Sequence, residues 1–402
     1  MKPADTDSGM VVVVTSVAQT PELESLWCGL QERAAASLFL SWSWIGCWLA
    51  GLPPQLDVKV VRAERHNVVV GLALLVVAPL RRLRVPFGKA AHINSTGLLQ
   101  YDGIAIEHNG LLLDQAHAQG VQAAMLRFLC DEQREWRSLR LPGLTHHQAL
   151  AAHALPPGVV MEALERPCAL VQLQPVRDRD GDYLGLLGTR RRAHIRRSMR
   201  ACAEWGPLRL TQAQDAATAT AYFDSLLQLH RARCASLGRG SAFDTPFARE
   251  FHGRLIAHGL PRGEVQLVRV QAGEHDVGYL YSFVHRGRVS FYQSGFDYSR
   301  VDHKFSPGLV TVALTIEHNA RLGHDCFDFL AGDAQYKQTL ATHSEPMYWV
   351  DLHRDGAVHR AENAVRAAGR RGRAWLRRRW ARGAAGVGLL VLSSWAALDA
   401  AG

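Results

Sequence analysis

Residues Lys304 to Lys337 read K-F-S-P-G-L-V-T-V-A-L-T-I-E-H-N-A-R-L-G-H-D-C-F-D-F-L-A-G-D-A-Q-Y-K, and they decide how the rest of the chain is read. Ser306 is a good helix N-cap, Pro307 sits where a helix tolerates proline, and Gly323 is a natural stop. Between them Leu309, Val312, Ala313, Ile316 and Ala320 recur at helical spacing on one face. Such a helix exposes unpaired N–H groups at the positive end of its dipole. With Lys304 and the small Gly308 beside it, that start suits a phosphate, although Ser-Pro-Gly also simply begins many helices. Cys326–Leu330 then alternates as a short buried strand, and Gly332-Asp333 turns the chain towards Tyr336-Lys337.

This order of elements resembles the GNAT-type acyltransferases of the CelD group, linked to cellulose and exopolysaccharide synthesis. More distantly it resembles the Fem-type aminoacyl transferases of cell-wall assembly. The resemblance is carried by Ser306-Pro307-Gly308, Gly323, Phe327-Asp328-Phe329-Leu330, Gly332-Asp333 and Tyr336-Lys337. Upstream, His230-Arg231-Ala232-Arg233 with Gly238 and Phe243, and the arginine run Arg190 to Arg200, fit the same pattern. It covers roughly residues 175 to 340. An aromatic residue often follows the family's Tyr-Lys; here Gln338-Thr339-Leu340 follows, so the chain departs from the pattern on the acceptor side of the pocket.

The resemblance implies an acyl-CoA donor, most simply acetyl-CoA, whose pyrophosphate lies at the helix start against Lys304, Ser306, Gly308 and Leu309. It also implies transfer to an amine or hydroxyl of a small or saccharide-linked acceptor, or, in the Fem-type alternative, transfer of an amino acid from transfer-RNA. A third possibility is a non-catalytic scaffold at a membrane.

Length and composition set the outer bounds. At about 100–200 residues per domain, 402 residues make two domains with ample core. The elements read as helices and strands in two similar halves: a strand at Val11–Val14, helices over 21–36 and 37–52, paired strands at 57–63 and 68–78, and a helix over 115–135. Strands at 138–141 and 168–173 close the first half. Helices over 218–237 and 246–258 and a meander at 265–270, 277–284 and 288–294 open the second. The expected fold is α/β: tandem GNAT-like units with mixed, mostly antiparallel sheets flanked by helices. The expected division is a degenerate GNAT-like half over 1–173, an acyltransferase domain over 174–352 and a tail over 353–402.

The net charge of +9 is local. Residues 177–200 carry a surplus of five positive charges and 354–382 a surplus of eight, so the remainder is slightly acidic. In the first segment Arg191, Arg192 and Arg196 are candidates for an anionic acceptor: a carrier phosphate, a nucleotide-sugar or transfer-RNA. The plain alternative is a solvated helix face. In the second, Arg370 to Arg382 interleaves Trp375 and Trp380, and 16 uncharged residues follow. That run is short of the roughly 20 needed to span a bilayer, so the tail suits a membrane surface or docks on the protein. Seven scattered cysteines without a C-x-x-C pair fit free thiols in a reducing compartment. Asp5 and Asp7 precede a short Val11–Val14 run, unlike a signal peptide, so the expected location is the cytosol, with the tail at the inner face of the membrane.

For chemistry, the strand Arg288 to Asp297 puts Ser290, Tyr292 and Ser294 on one face. Tyr292 could protonate a leaving thiolate and Asp297 could accept a proton from an amine; equally, Tyr292 could cap the core edge and Asp297 sit in a turn. Asp328 lies in an apolar strand, where an unpaired carboxylate is costly, so it needs a cation or a polar cleft. Tyr336 and Lys337 close over a ligand or merely flank a loop. His230 reads first as a packing residue. No H-E-x-x-H, no metal-ligand spacing among the 19 histidines and no phosphate-binding P-loop occurs, and Gln293-Ser294-Gly295 lacks the first glycine of a nucleophile elbow. Hydrolase, kinase and dehydrogenase readings therefore lack support, and no metal is expected.

Overall fold

The computed structural model describes residues 4–6, 9–82, 85–131, 135–151, 155–241, 243–299 and 305–356; Lys304 and the tail beyond 356 lie outside them. The first half runs β1 (Ala4–Thr6), β2 (Met10–Ser16), α1 (Leu23–Gln31), α2 (Trp42–Gly51), β3 (Val58–Arg65), β4 (Val68–Arg82) and β5 (Val85–Ile93). It continues with α3 (Leu99–Asp102), β6 (Leu112–Leu113), α4 (Ala118–Asp131), β7 (Ser138–Thr145), α5 (His146–Ala151) and β8 (Val159–Gln172). The second half begins with α6 (Gln174–Arg177), α7 (Thr189–Ala203), β9 (Leu208–Gln212), α8 (Ala216–Ser236), α9 (Pro246–Gly259) and β10 (Val265–Ala272). After β11 (His275–His285) and β12 (Arg288–Phe296) come α10 (Pro307–Arg321), β13 (Cys326–Ala331), α11 (Gln335–Leu340) and β14 (His343–Arg354).

The two halves repeat one order. From β9 to β14 the chain runs strand, two helices, three strands, crossover helix, strand, helix, strand, and from β2 to β8 it follows the same order with α3 and β6 inserted before the crossover helix. In each half one parallel pair, β5 with β7 and β12 with β13, brackets a crossover helix, as parallel strands require. All other pairings are antiparallel, and the strands form one continuous sheet in the order β1-β2-β3-β4-β5-β7-β14-β8-β13-β12-β11-β10-β9. The last strands are exchanged: β14 pairs with β7 of the first half and β8 with β13 of the second, and β8 and β14 pair with each other over 12 residues. A mixed α/β fold with a large, mostly antiparallel sheet flanked by helices is what the sequence led us to expect.

Helices cover both faces because the strands are apolar on both faces. On one face α1, α2, α8 and α9 share a single core, where Trp44 of α2 meets Phe251 of α9 and Phe283 of β11 at ring-centroid distances of 4.8 and 5.6 Å. Removing one such fully buried ring costs about 3–5 kcal/mol. On the other face α4 packs over the first half, while α10 and α7 pack over the second. The β11–β12 turn is also tied across the seam: the Arg286 guanidinium donates to the carbonyls of Gln31 and Ala34 past the end of α1.

The strands β1, β5, β6, β9 and β14 and the first nine residues of β8 have no counterpart in the sequence expectation. Of these β5, β8 and β14 contain proline, which lacks the ladder's N–H and argues against a central strand, while β1, β6 and β9 are only two to five residues long. Pro167 of β8 and Pro346 of β14 lie directly opposite each other, so both missing donors fall on one rung.

Candidate functional site

In the second half, β12 and β13 pair only at Arg288↔Cys326, Val289↔Phe327 and Ser290↔Asp328. Beyond that rung β12 stays with β11 as far as Phe296, while β13 stays with β8 up to Ala331, so the two strands fork. On the open side of β12, side chains satisfy the backbone of Ser294: its N–H donates to Gln293 Oε1 at 3.1 Å, and its carbonyl accepts from His230 Nδ1 at 3.3 Å. His230 also stacks edge-on against Phe243, which bears out the packing reading.

Helix α10 begins against the far end of this open stretch; a Cβ on Gly308 would lie 3.0 Å from the Phe296 ring. Ser306 is the N-cap residue, as expected, but its side chain makes no capping bond; instead its backbone N–H donates to Ser198 Oγ of α7 at 3.2 Å. Pro307 has no N–H, and those of Gly308 and Leu309 have no partner among the described residues. Among the described residues the helix start therefore keeps two unpaired donors and its positive dipole end. Both fit an anionic group.

At the closed end of the fork lies a buried polar cluster around Asp328, which is wholly buried. Its Oδ2 accepts from His108 Nε2 at 2.7 Å and from Arg288 Nη1 at 2.8 Å, and its Oδ1 from the Leu330 N–H at 2.7 Å and the Cys168 thiol at 3.1 Å. Burial alone would raise this carboxyl; His108 and Arg288 outweigh it and hold Asp328 well below the usual carboxylate range. Burial, reinforced by Asp328, pushes the Cys168 thiol far up, so it stays protonated and is no nucleophile. His108 Nε2, Cys168 Sγ and an Asp328 oxygen lie within 4.8 Å of one another, close enough for a shared metal ion. Four N–H or S–H donors, one of them cationic, already occupy the carboxylate, so the set fits a hydrogen-bonded cluster rather than a cation site.

Lys337 and Glu107 brace this cluster. Lys337 Nζ donates to the carbonyls of Leu330 at 3.0 Å and Ala331 at 2.6 Å, and Glu107 accepts the Ala331 N–H at 2.6 Å. Burial lowers Lys337 and raises Glu107 from their ordinary values. Leu330 and His108 both adopt positive φ, +62° and +44°, a conformation that such residues hold only when their surroundings over-determine it.

The sequence-derived residues divide into groups. Asp328 and Lys337 come together around Leu330, whose N–H donates to Asp328 and whose carbonyl accepts from Lys337; Tyr292, two residues past Ser290 on β12, instead donates to the Ile104 carbonyl at 2.6 Å, with His252 Nε2 at 3.2 Å. Burial holds Tyr292 well above its usual range and pushes His252 down to about 3, so the pair is neutral. Tyr336 is exposed beside Phe329. Asp297 does not join them: it accepts the Ser299 N–H at 2.8 Å in the turn after β12. Five residues along the chain put it about 16 Å from Tyr292 if the strand is extended. Arg192 and Arg196 line a cavity of about 620 Å³ on the outward face of α7 with Arg197 and Arg200; Arg191 does not line it. Ile195, Ser198 and Cys202 form the helix's buried face.

Sequence reasoning missed Glu107, His108, Cys168 and Arg288. The first two sit in a loop without periodicity, and Cys168 follows a proline. Arg288 carried the one available signal, a cation two residues before Ser290 in a strand that could reach Asp328.

Residues 189–338 match the family model described as an acetyltransferase (GNAT) domain. No curated protein sequence matches the chain. The solved structure of FemX has a TM-score of 0.54 at 9% identity, covering 81% of this chain and 95% of that one. A tandem GNAT protein from the clavulanic acid biosynthesis pathway has a TM-score of 0.42 at 12% identity, over 86% of this chain and 99% of that one. L-PGS from Bacillus licheniformis has a TM-score of 0.49 at 9% identity, over 83% and 91%. At these identities the likeness is one of fold.

Proposed function

We propose that the chain transfers an acyl group, most simply acetyl, from acyl-CoA to an amine or hydroxyl acceptor, with the donor in the fork between β12 and β13. The observation that carries this is the helix start: among the described residues the N–H groups of Gly308 and Leu309 have no partner, beside the stretch of β12 that β13 leaves unpaired. A phosphate there would meet the positive end of the helix, and an extended donor arm would run along the open edge of β12 towards Asp328. Positioning and proton removal supply the catalysis, without an acyl-cysteine, because Cys168 is a buried, protonated thiol. The GNAT match over 189–338 supports acyl transfer in general. The acceptor we favour is saccharide-linked, as in exopolysaccharide synthesis, which follows from the CelD-type resemblance. Among the described residues no helix is long and apolar enough to cross a membrane; we place the chain at the inner membrane surface through the basic and apolar tail.

The arginine-lined cavity on α7 favours a second reading, a Fem-type ligase that takes its amino acid from transfer-RNA. Thermal unfolding with acetyl-CoA, longer acyl-CoAs and transfer-RNA separates the possibilities. A ligand at a hundred times its dissociation constant adds about 2.7 kcal/mol. Stabilisation by acyl-CoA alone supports the donor reading, by transfer-RNA alone the second reading, and by neither a scaffold. If α7 binds a polyanion, replacing Arg192, Arg196 and Arg197 by Gln flattens the salt dependence of that binding and leaves acyl-CoA affinity unchanged.

A further inference from the structure

We propose that His108, supplied by the first half of the chain, is the general base that takes the acceptor's proton at the second half's fork; this rests on the acyl-CoA reading above. Asp328 occupies the last paired rung of β12 and β13, so the group hydrogen-bonded to it stands where the fork closes. Being ionised, Asp328 can only accept, which puts the proton of His108 on Nε2. The lone pair is then on Nδ1, which has no hydrogen-bond partner among the described residues. A carboxylate behind one ring nitrogen and a free lone pair on the other is the arrangement a general base requires.

The imidazole is held firmly. Ser37 donates to the His108 carbonyl at 2.6 Å, and the neighbouring Glu107 accepts the Ala331 N–H. Gly143 of β7 lies so close that a Cβ there would be 3.0 Å from Glu107 Cα and 3.2 Å from His108 N. Positive φ on both sides of the Asp328 carboxylate, at His108 and Leu330, fits a site whose geometry is enforced. The charged and titratable groups around it are Asp328, Arg288, Cys168, Glu107 and Lys337.

In the step this geometry serves, the acceptor's nitrogen or oxygen attacks the thioester carbonyl. The new C–N or C–O bond forms as the C–S bond breaks. The acceptor's proton passes to His108 Nδ1, and the imidazolium returns it to the departing CoA thiolate. Atoms and charge balance without a further reactant. His108 is then catalytic, and Asp328 is the residue that positions it.

The test uses the full chain with His108→Asn, because asparagine tolerates positive φ, and with His108→Ala. Acetyl-CoA binding is measured by calorimetry, and CoA thiol release is followed with glucosamine, lysine methyl ester or water as acceptor. We expect both variants to bind acetyl-CoA within about twofold of wild type while thiol release at saturating donor falls roughly a hundredfold or more. Added imidazole should restore part of the rate to His108→Ala and none to wild type. Release within about threefold of wild type in His108→Asn overturns the role, as does a loss that imidazole cannot rescue or that accompanies lost binding in both variants. A wild type that binds acetyl-CoA without releasing thiol overturns it too, leaving the donor reading intact. A wild type that binds no acetyl-CoA overturns the donor reading itself.

Discussion

The two halves share an order of elements and differ wherever a ligand would sit. At the start of α10 the N–H groups of Gly308 and Leu309 have no partner among the described residues; ahead of the 3-10 turn Gln115–His117 that leads into α4 the chain places Asp114, whose Oδ1 accepts the Ala116 N–H at 3.0 Å while Oδ2 accepts from Arg33 Nε at 2.9 Å. The first half thus fills its own anion position with a carboxylate. On the third rung of the parallel pair the second half has the buried Asp328, and the first has Arg140, about a third exposed and 3.6 Å from Asp351. Past that rung the first half's fork is taken up by its own loop, since Gly143 lies against the backbone of Glu107 and His108. The same loop presents His108 to Asp328. One copy of the fold keeps an open fork, and the other has closed its fork with a segment that completes the first.

The largest effect should come from breaking that asymmetry at the third rung. Asp328→Ala leaves Arg288, the Leu330 N–H, His108 and the Cys168 thiol without their acceptor in a buried site. We expect a loss of about 3–5 kcal/mol in chemical unfolding. Arg140→Ala, at the equivalent rung, removes a pair near the surface and should cost less than about 1 kcal/mol. Equal losses would mean that the two rungs are alike and the comparison is wrong. The pH dependence has a definite sign. Because the folded-state pKa of Asp328 is depressed, its contribution is complete above the usual aspartate range near pH 4, and it drains away as pH falls below that towards the folded value. Asp328→Ala should therefore have the flatter acid limb of stability.

How much of this was written in the sequence depends on range. Helix α10 and strand β13 were legible because capping, periodicity and alternation act within a few residues, and Asp328's need for a partner followed from the cost of a bare buried carboxylate. Arg288 meets that need, as a local reading allowed; His108, 220 residues away, could not be foreseen. Ser306 was legible as a cap position, whereas Ser198, which accepts its backbone N–H, is brought alongside only by the packing of α7 on α10. Asp297 misled because an acid at a strand end looks the same whether it faces a cleft or accepts from its own turn. The strand exchange was hidden by Pro167 and Pro346, each a poor strand residue alone and tolerable only opposite the other.

A smaller effect, of opposite sign in two measurements, should follow from giving α10 the first half's feature. Ser306→Asp places a carboxylate at the N-cap and in the field of the helix dipole, so stability should rise by roughly 0.3–1 kcal/mol. The same charge competes with a donor phosphate, so acetyl-CoA affinity should fall about tenfold, or 1.4 kcal/mol. A charge introduced at Gly308 would be less clean, because any Cβ there already presses on the Phe296 ring. Unchanged affinity in the stabilised variant would place the donor's phosphates elsewhere.

The smallest effect belongs to the reverse exchange. Asp114→Ala removes the acceptor for the Ala116 N–H and frees Arg33, which keeps its bonds to the carbonyls of Gly29 and Val69. Loss of an N-cap acceptor costs about 1 kcal/mol, and the partly exposed ion pair adds little. If the first half's helix start is only structural, acetyl-CoA binding should keep its stoichiometry of one and its affinity, because the fork beside that start remains filled by the Glu107–His108 loop. Calorimetric titration of wild type and Asp114→Ala decides this. A second equivalent of acetyl-CoA bound by the variant would mean that Asp114 is all that closes the first half. A loss of affinity at the existing site would mean that the loop carrying His108 takes its position from the start of α4, tying the two halves more tightly than their separate helix starts imply.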